Sequence, residues 1–245
     1  MRDPLVVTYR VPIEGLSDPL RLVHLSDVHA SPYDMPLVRV RRIVGMVNGM
    51  APDIVVLTGD YHGGKLWDVP GIRLHQVVQT LGLLDARLGT VAVAGNHDQS
   101  YWISRVFADT EIRMLRGDFA DLGPLVVAGA DSIAHHYSPA IGLRLAIAAA
   151  PAGKPLISIS HEPETGQFAG SRSQLHLAGH AHGGQIIVPG LGGFGPLGDN
   201  DFLHAHRRGA LCTWQRRGPE AARVIRPGHD LCAAAPCRAA GDCRC

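Results

Sequence analysis

The sequence predicts an α/β fold in which a parallel sheet with helices packed on it is faced by a second sheet from later in the chain. Three observations carry this expectation. Short apolar runs ending on a polar residue alternate with stretches of helical periodicity between residues 20 and 96. Between residues 124 and 189 the apolar runs are mostly strand-like, with less helical material between them. The 245 residues, 46% hydrophobic and 18% charged, suffice for one domain with a large core and are too apolar for a disordered chain.

Each element has its own grounds. "LRLVHLSD" (20–27) is rich in Leu and Val and ends on Asp, as a buried strand with a polar carboxyl end would. Pro36 suits a helix start, and Leu37, Val40, Ile43, Val44 and Val47 recur at helical spacing up to Asn48-Gly49. "DIVVLTGD" (53–60) repeats the strand pattern, and Leu74, Val77, Val78, Leu81, Leu84 and Leu88 predict a second helix over 71–88. "TVAVAGN" (90–96) completes a strand–helix–strand–helix–strand series, which implies parallel strands and right-handed crossovers. The later runs "PLVVAGAD" (124–131), "LRLAIAAA" (143–150), "PLISISH" (155–161), "LHLAGH" (175–180) and "QIIVP" (185–189) are expected as strands. "PGLGGFGPLG" (189–198) is expected as a loop or boundary.

Composition excludes several function classes. The formal net charge of +1 provides no overall field for nucleic acid or anionic lipid, so no nucleic-acid partner is expected. No apolar run reaches the roughly 18 residues of a membrane span. Residues 1–30 lack a secretory pattern, being broken by Pro4, Pro12 and Glu14, which makes the cytoplasm the default location. All five cysteines, Cys212, Cys232, Cys237, Cys243 and Cys245, lie beyond residue 211, so the earlier chain cannot depend on a disulfide.

The polar residues at the strand ends suggest chemistry. They are Asp27 and His29 in "SDVHA", Asp60 in "TGDYH", Asn96, His97 and Asp98 in "GNHD", His161 in "SHEP", and His180 and His182 in "GHAHGG". In open α/β sheets ligands bind beyond the carboxyl ends of the strands, so these groups can converge on one crevice. Carboxylate, imidazole and amide oxygen suit Mn, Fe or Zn, and their number fits two divalent ions sharing one carboxylate. Asp27 and His29, two apart on an extended strand, would point the same way. The glycines around His180 and His182 would let the backbone turn tightly. Two ions roughly 3.5–4 Å apart would clamp the attacking and leaving oxygens of a phosphoryl transfer and form hydroxide near neutral pH.

The set "SDVH", "GD", "GNHD", "SHEP" and "GHAHGG", in this order, resembles the calcineurin-like metallophosphoesterase superfamily. "HLSDVHA", "APDIVVLTGDY", "VAVAGNHD" and "GHAHGGQ" are similar to its bacterial branch, which contains membrane-associated phosphoesterases and UDP-2,3-diacylglucosamine pyrophosphatases of lipid A synthesis. The resemblance covers about residues 5–189 and implies a four-layer αββα sandwich with a dinuclear site at the edge of the two sheets. It further implies that Asp27, His29 and His182 hold one metal, that Asp60 bridges, and that Asn96, His161 and His180 hold the other. His97 would steady the phosphate or protonate the leaving alkoxide, with Asp98 orienting its imidazole. The implied substrate is a phosphodiester or pyrophosphate, including a nucleotide-linked lipid precursor such as UDP-2,3-diacylglucosamine. A phosphomonoesterase, a cyclic-nucleotide phosphodiesterase and a metal-binding scaffold without turnover are the alternatives.

Each residue also has a plainer reading. Asp27 and Asp60 are residue types favoured as helix caps and turn formers, and Asn96 as a turn residue. His62 and Glu162 stand beside expected ligands, and the residues leave open whether they support them or face solvent. Leu66 and Trp67 form either an apolar tip for peripheral membrane or substrate contact, or a satellite of the core. Members of the branch often carry an anchor or export signal before the first strand. This chain begins almost at that strand, so a soluble member or a truncated start is expected. Residues 1–190 are therefore expected to form the metallophosphoesterase domain. Residues 191–245 form an Arg/Ala/Cys-rich tail without the branch's usual final strands, as a divergent or frame-shifted segment would.

Overall fold

The computed structural model describes residues 4–63, 72–98, 100–132 and 138–180, with the strand segments 187–188, 192–193 and 222–225. His182, Leu66, Trp67 and the five cysteines lie outside the described residues.

Two sheets form the middle of the molecule. The first contains β1 (Val6–Tyr9), β2 (Leu22–Leu25), β3 (Ile54–Leu57), β4 (Thr90–Ala92), β5 (Ile112–Met114) and β12 (Ala222–Ile225), in the order β1-β12-β2-β3-β4-β5. All its pairings are parallel except β1 with β12. The second contains β6 (Asp118–Asp121), β7 (Val126–Ala130), β8 (Leu156–Ser160) and β9 (His176–Ala178) in sequential order, parallel apart from β6 with β7. The run at 185–189 does not join it: β10 (Ile187–Val188) pairs with β11 (Gly192–Gly193) as a separate hairpin.

The strand period of two sorts apolar side chains into three cores. Val23, Leu25, Val55, Leu57 and Ala92 pack under α1 (Leu37–Asn48), α2 (Leu74–Leu81) and α3 (Ser100–Phe107), meeting Val40, Ile43, Val44, Val47, Val77, Val78, Leu81, Ile103 and Phe107. The alternate residues Leu22, Ile54, Val56, Val91 and Val93 face Val127, Ile157, Ile159 and Leu177 of the second sheet. That sheet's other face, with Val126, Ala128, Ala130 and Leu156, packs on α4 (Pro139–Ala149). Helix, sheet, sheet, helix is the expected four-layer αββα architecture. The inner strands β2, β3, β4, β7 and β8 are buried on both faces and read as largely apolar runs, whereas the edge strands β1, β5 and β6 keep exposed positions.

α1 forms where expected, with Pro36 at its cap position and Val40, Ile43, Val44 and Val47 buried. α2 ends earlier than predicted. Gly82 caps it, Leu83 and Leu84 turn away through bonds to the carbonyls of Thr80 and Leu81, and Leu88 packs in the inter-sheet core. The expected strand at 143–150 is instead the body of α4. Leu143, Ala146, Ile147 and Ala150 are buried at helical spacing, alanine favours the helix, and Pro139 opens it. Exposed Ile141 and Leu145 made the segment look apolar on every side.

Candidate metal centre

β2, β3 and β4 are neighbours in the first sheet, as are β8 and β9 in the second, and the expected ligands follow their carboxyl ends. The loops continue the pairing beyond the strands. The Asp27 N–H donates to Gly59 O (3.1 Å), the His29 N–H to Asp60 O (2.8 Å), and the Gly179 N–H to His161 O (2.9 Å).

Asp27 and His29 do not lie on an extended strand, because β2 stops at Leu25. Their φ angles are 52° and 42°, and Asp60 and His180 are likewise left-handed at 56° and 66°. Only one other described non-glycine residue, Ala51, has positive φ. Such backbone costs roughly 1–3 kcal/mol per residue and persists only where the surroundings enforce it. Asp and His tolerate it better than branched residues do, which suits these positions.

Two glycines allow the enforced approach. A Cβ on Gly95 would collide with the backbone N and carboxylate of Asp60, and one on Gly179 would collide with Ser26 Oγ and come within 2.9 Å of Asp27 Oδ2. The resulting proximity lets the His97 N–H donate to Asp60 Oδ1 and the His180 N–H to Asp27 Oδ1, both at 2.9 Å.

At the centre, His161 Nε2 stands 2.8 Å from Asn96 Oδ1 and 3.1 Å from His180 Nδ1, which is itself 2.9 Å from Asn96 Oδ1. Asp60 Oδ2 lies 3.3 Å from His161 Nε2 and 3.3 Å from His29 Nε2. His161 Nδ1 is 2.7 Å from Thr58 O, an acceptor, so Nδ1 carries a proton, and once Nε2 gives up its own the lone pair faces the site. His161 and Asp60 are almost fully buried. Burial opposes ionisation of Asp60, but His161 and His29 beside it hold its carboxyl well below the ordinary range. Burial likewise disfavours charge on His161, yet Asp60 raises that imidazole to about 9.

Lone-pair donors that converge in this way need positive charge between them, from a proton or from a cation that displaces it. Imidazole, carboxylate and amide oxygen without thiolate form a donor set for Mn, Fe or Zn. Asp27, Asp60 and His161 place donor atoms within 4.8 Å of one another, as do His29, Asp60 and His97, and as do His161, Glu162 and His180. The residues therefore fit divalent metal, and Asp60 belongs to two of the three groups.

His97 is exposed, with its ring edge-on to His29 at 4.9 Å between centroids. Partial desolvation lowers its pKa, and the imidazoles of His29, His161 and His180 add to this against the attraction of Asp60. Asp98 does not follow the expectation of a carboxylate turned to that imidazole. It is buried, its Oδ2 accepts from the Asp60 and Gly95 N–H groups (both 2.8 Å), and its Oδ1 accepts from the Tyr61 N–H (2.9 Å). Three backbone donors in reach outcompete a side chain at the exposed rim. Burial pushes the Asp98 carboxyl up to about 6 despite these bonds, with Asp60 adding repulsion.

Sequence reasoning did not find the Thr58 carbonyl that orients His161, since a backbone group has no residue-type signature. Glu162 proves to be buried, with its Oε1 accepting from Ser132 Oγ, which decides against solvent exposure. His62 bonds the Ile72 carbonyl through Nε2 (2.6 Å).

Comparisons with known proteins agree with this geometry. The calcineurin-like phosphoesterase profile matches residues 20–188. The chain is 30% identical over 209 residues to a transmembrane protein with metallophosphoesterase domain from Danio rerio, covering 76% of this chain and 46% of that protein. It is 28% identical over 192 residues to the uncharacterized metallophosphoesterase YkuE of Bacillus subtilis, covering 71% and 62%. It is 31% identical over 86 residues to the UDP-2,3-diacylglucosamine pyrophosphatase LpxG of Chlamydia trachomatis, covering 35% and 25%. The chain thus spans about half the length of the Danio rerio relative. Among the described residues no helix is long and apolar enough to cross a membrane.

Proposed function

The chain belongs to the calcineurin-like phosphoesterase family, and on that footing we propose that it is a dinuclear metal-dependent hydrolase of a phosphodiester or pyrophosphate. The convergence of His161 Nε2, His180 Nδ1 and Asn96 Oδ1 within 3.1 Å, beside buried Asp60, carries this reading. Bound divalent ions would supply Lewis acidity at phosphorus and a water of lowered pKa. In this reading Asp27, His29 and His182 hold one ion, Asn96, His161 and His180 hold the other, and Asp60 serves both.

The remaining residues bind, orient and move protons. Thr58 O fixes the His161 tautomer, and the left-handed turns at Asp27, His29, Asp60 and His180 place these residues around one site. His97, exposed at the rim and outside the ligand set, donates a proton to the departing alkoxide. Asp98 acts through the backbone by holding the Gly95 and Asp60 loops together. The partial likeness to LpxG makes a nucleotide-linked lipid precursor, UDP-2,3-diacylglucosamine, the first natural substrate to try. We take manganese as the first metal for the same trial.

The test is hydrolysis of bis(p-nitrophenyl) phosphate by the metal-stripped chain before and after adding Mn²⁺, with Asp60→Asn alongside. Mn²⁺-dependent turnover, reduced at least ~100-fold in the variant, is expected. A folded, Mn²⁺-loaded chain inactive on phosphodiesters and pyrophosphates alike would overturn this reading and leave the phosphomonoesterase and scaffold alternatives.

A further inference from the structure

Resting on the dinuclear reading above, we propose that Glu162 is a positioning residue for the second ion: its buried carboxylate supplies the negative charge that the Asn96, His161 and His180 donor set lacks. The two halves of the site are unequal in charge. Asp27 and Asp60 both serve the first ion, whereas the second has neutral Asn96 and two imidazoles and must share Asp60. A divalent ion in a water-poor site needs nearby anionic charge to offset lost hydration, and a carboxylate beside the ligands provides it without coordinating.

Glu162 is placed for this task. It directly follows His161, is only 4% exposed, and has a carboxylate oxygen within 4.8 Å of a ring nitrogen of His161 and of His180. Two serines hold it. Ser132 Oγ, fully buried at the exit of β7, donates to its Oε1, and Ser160 Oγ donates to its backbone carbonyl (2.8 Å). The second serine is fixed in turn. Its Oγ lies 3.0 Å from His176 Nε2, and His176 Nδ1 lies 2.8 Å from Ser158 Oγ. The Cβ that Gly166 lacks would fall 2.6 Å from the His176 ring, so the turn Pro163–Phe168 packs directly on this ring. The buried polar groups behind β8 thus fix the direction in which the carboxylate leaves the strand.

Calorimetric titration of the metal-stripped full chain with Mn²⁺ tests the inference, using Glu162→Gln and Ser132→Ala. Gln keeps the shape and the acceptor for Ser132 but loses the charge. Glu162→Gln is expected to weaken the second ion about 10- to 100-fold while the first ion and the thermal midpoint are unchanged. Ser132→Ala, which keeps the charge, is expected to weaken it less than 10-fold. A Glu162→Gln isotherm superimposing on wild type would overturn the inference. So would loss of both ions with a lowered midpoint, or a larger loss in Ser132→Ala than in Glu162→Gln, since either would place the effect in packing. Fewer than two ions bound by wild type would instead sink the dinuclear reading, and this inference with it.

Discussion

The carboxyl and amino ends of the same parallel strands are built on different terms. At the carboxyl ends four polar residues hold left-handed backbone, and buried Asp60 sits 3.3 Å from two imidazoles. At the amino ends the polar contacts lie nearer the surface. Asp53 accepts from the Arg21 N–H (2.6 Å) and from Arg87 Nε (2.7 Å), and the turn into β4 uses Gly89, at φ 113°, where left-handed backbone is inexpensive. The amino ends follow local preference except at Ala51 (φ 46°), ahead of β3, whereas four such departures gather at the carboxyl ends, among the candidate metal ligands. Local departures that the rest of a fold must stabilise mark function more reliably than polar residues alone.

The comparison can be broken at graded cost. His97→Ala should slow turnover by about 10²- to 10⁴-fold, most for poor leaving groups, while Mn²⁺ binding is retained. Equal loss with good and poor leaving groups would remove its role as acid. Asp98→Ala leaves three buried backbone donors without their acceptor and should cost about 3 kcal/mol or more in urea unfolding. Asp53→Asn probes the other end and should cost only about 0.5–1 kcal/mol at neutral pH without changing kcat. Burial alone would raise the Asp53 carboxyl, but the Arg21 N–H and the Arg87 guanidinium hold it below its ordinary range. A depressed folded pKa contributes stability above the unfolded value, so the deficit of Asp53→Asn should shrink as pH falls below about 4. Ala51→Gly, at an exposed left-handed position, should be neutral or stabilising by up to about 1 kcal/mol.

Much of this was legible in the chain. β2, β3, β7, β8 and β9 announced themselves as short, largely apolar runs, buried along most of their length. Asp27, Asp60, Asn96 and His161 did so because each followed such a run. α4 did not, since Ile141 and Leu145 on its open face hid the period of Leu143, Ala146 and Ile147. The left-handed turns were invisible for a different reason: pairing of Asp27 and His29 with the loop after β3 imposes them, and no local pattern encodes a contact across thirty residues of chain. Asp98 was expected at an imidazole because the resemblance implied that role, and nothing in the sequence showed the three backbone N–H groups that take up its carboxylate.

The placement of β12 bears on the order of events during synthesis. Ala222–Ile225 lies between β1 and β2, with Thr8 paired to Arg223, so β1 joins the sheet through a strand made far later in the chain. Closing so long a loop is entropically slow. Until that strand emerges, the β12-facing edge of β2 has open hydrogen-bonding groups, and the nascent chain is most exposed to wrong partners along the edge next to Asp27.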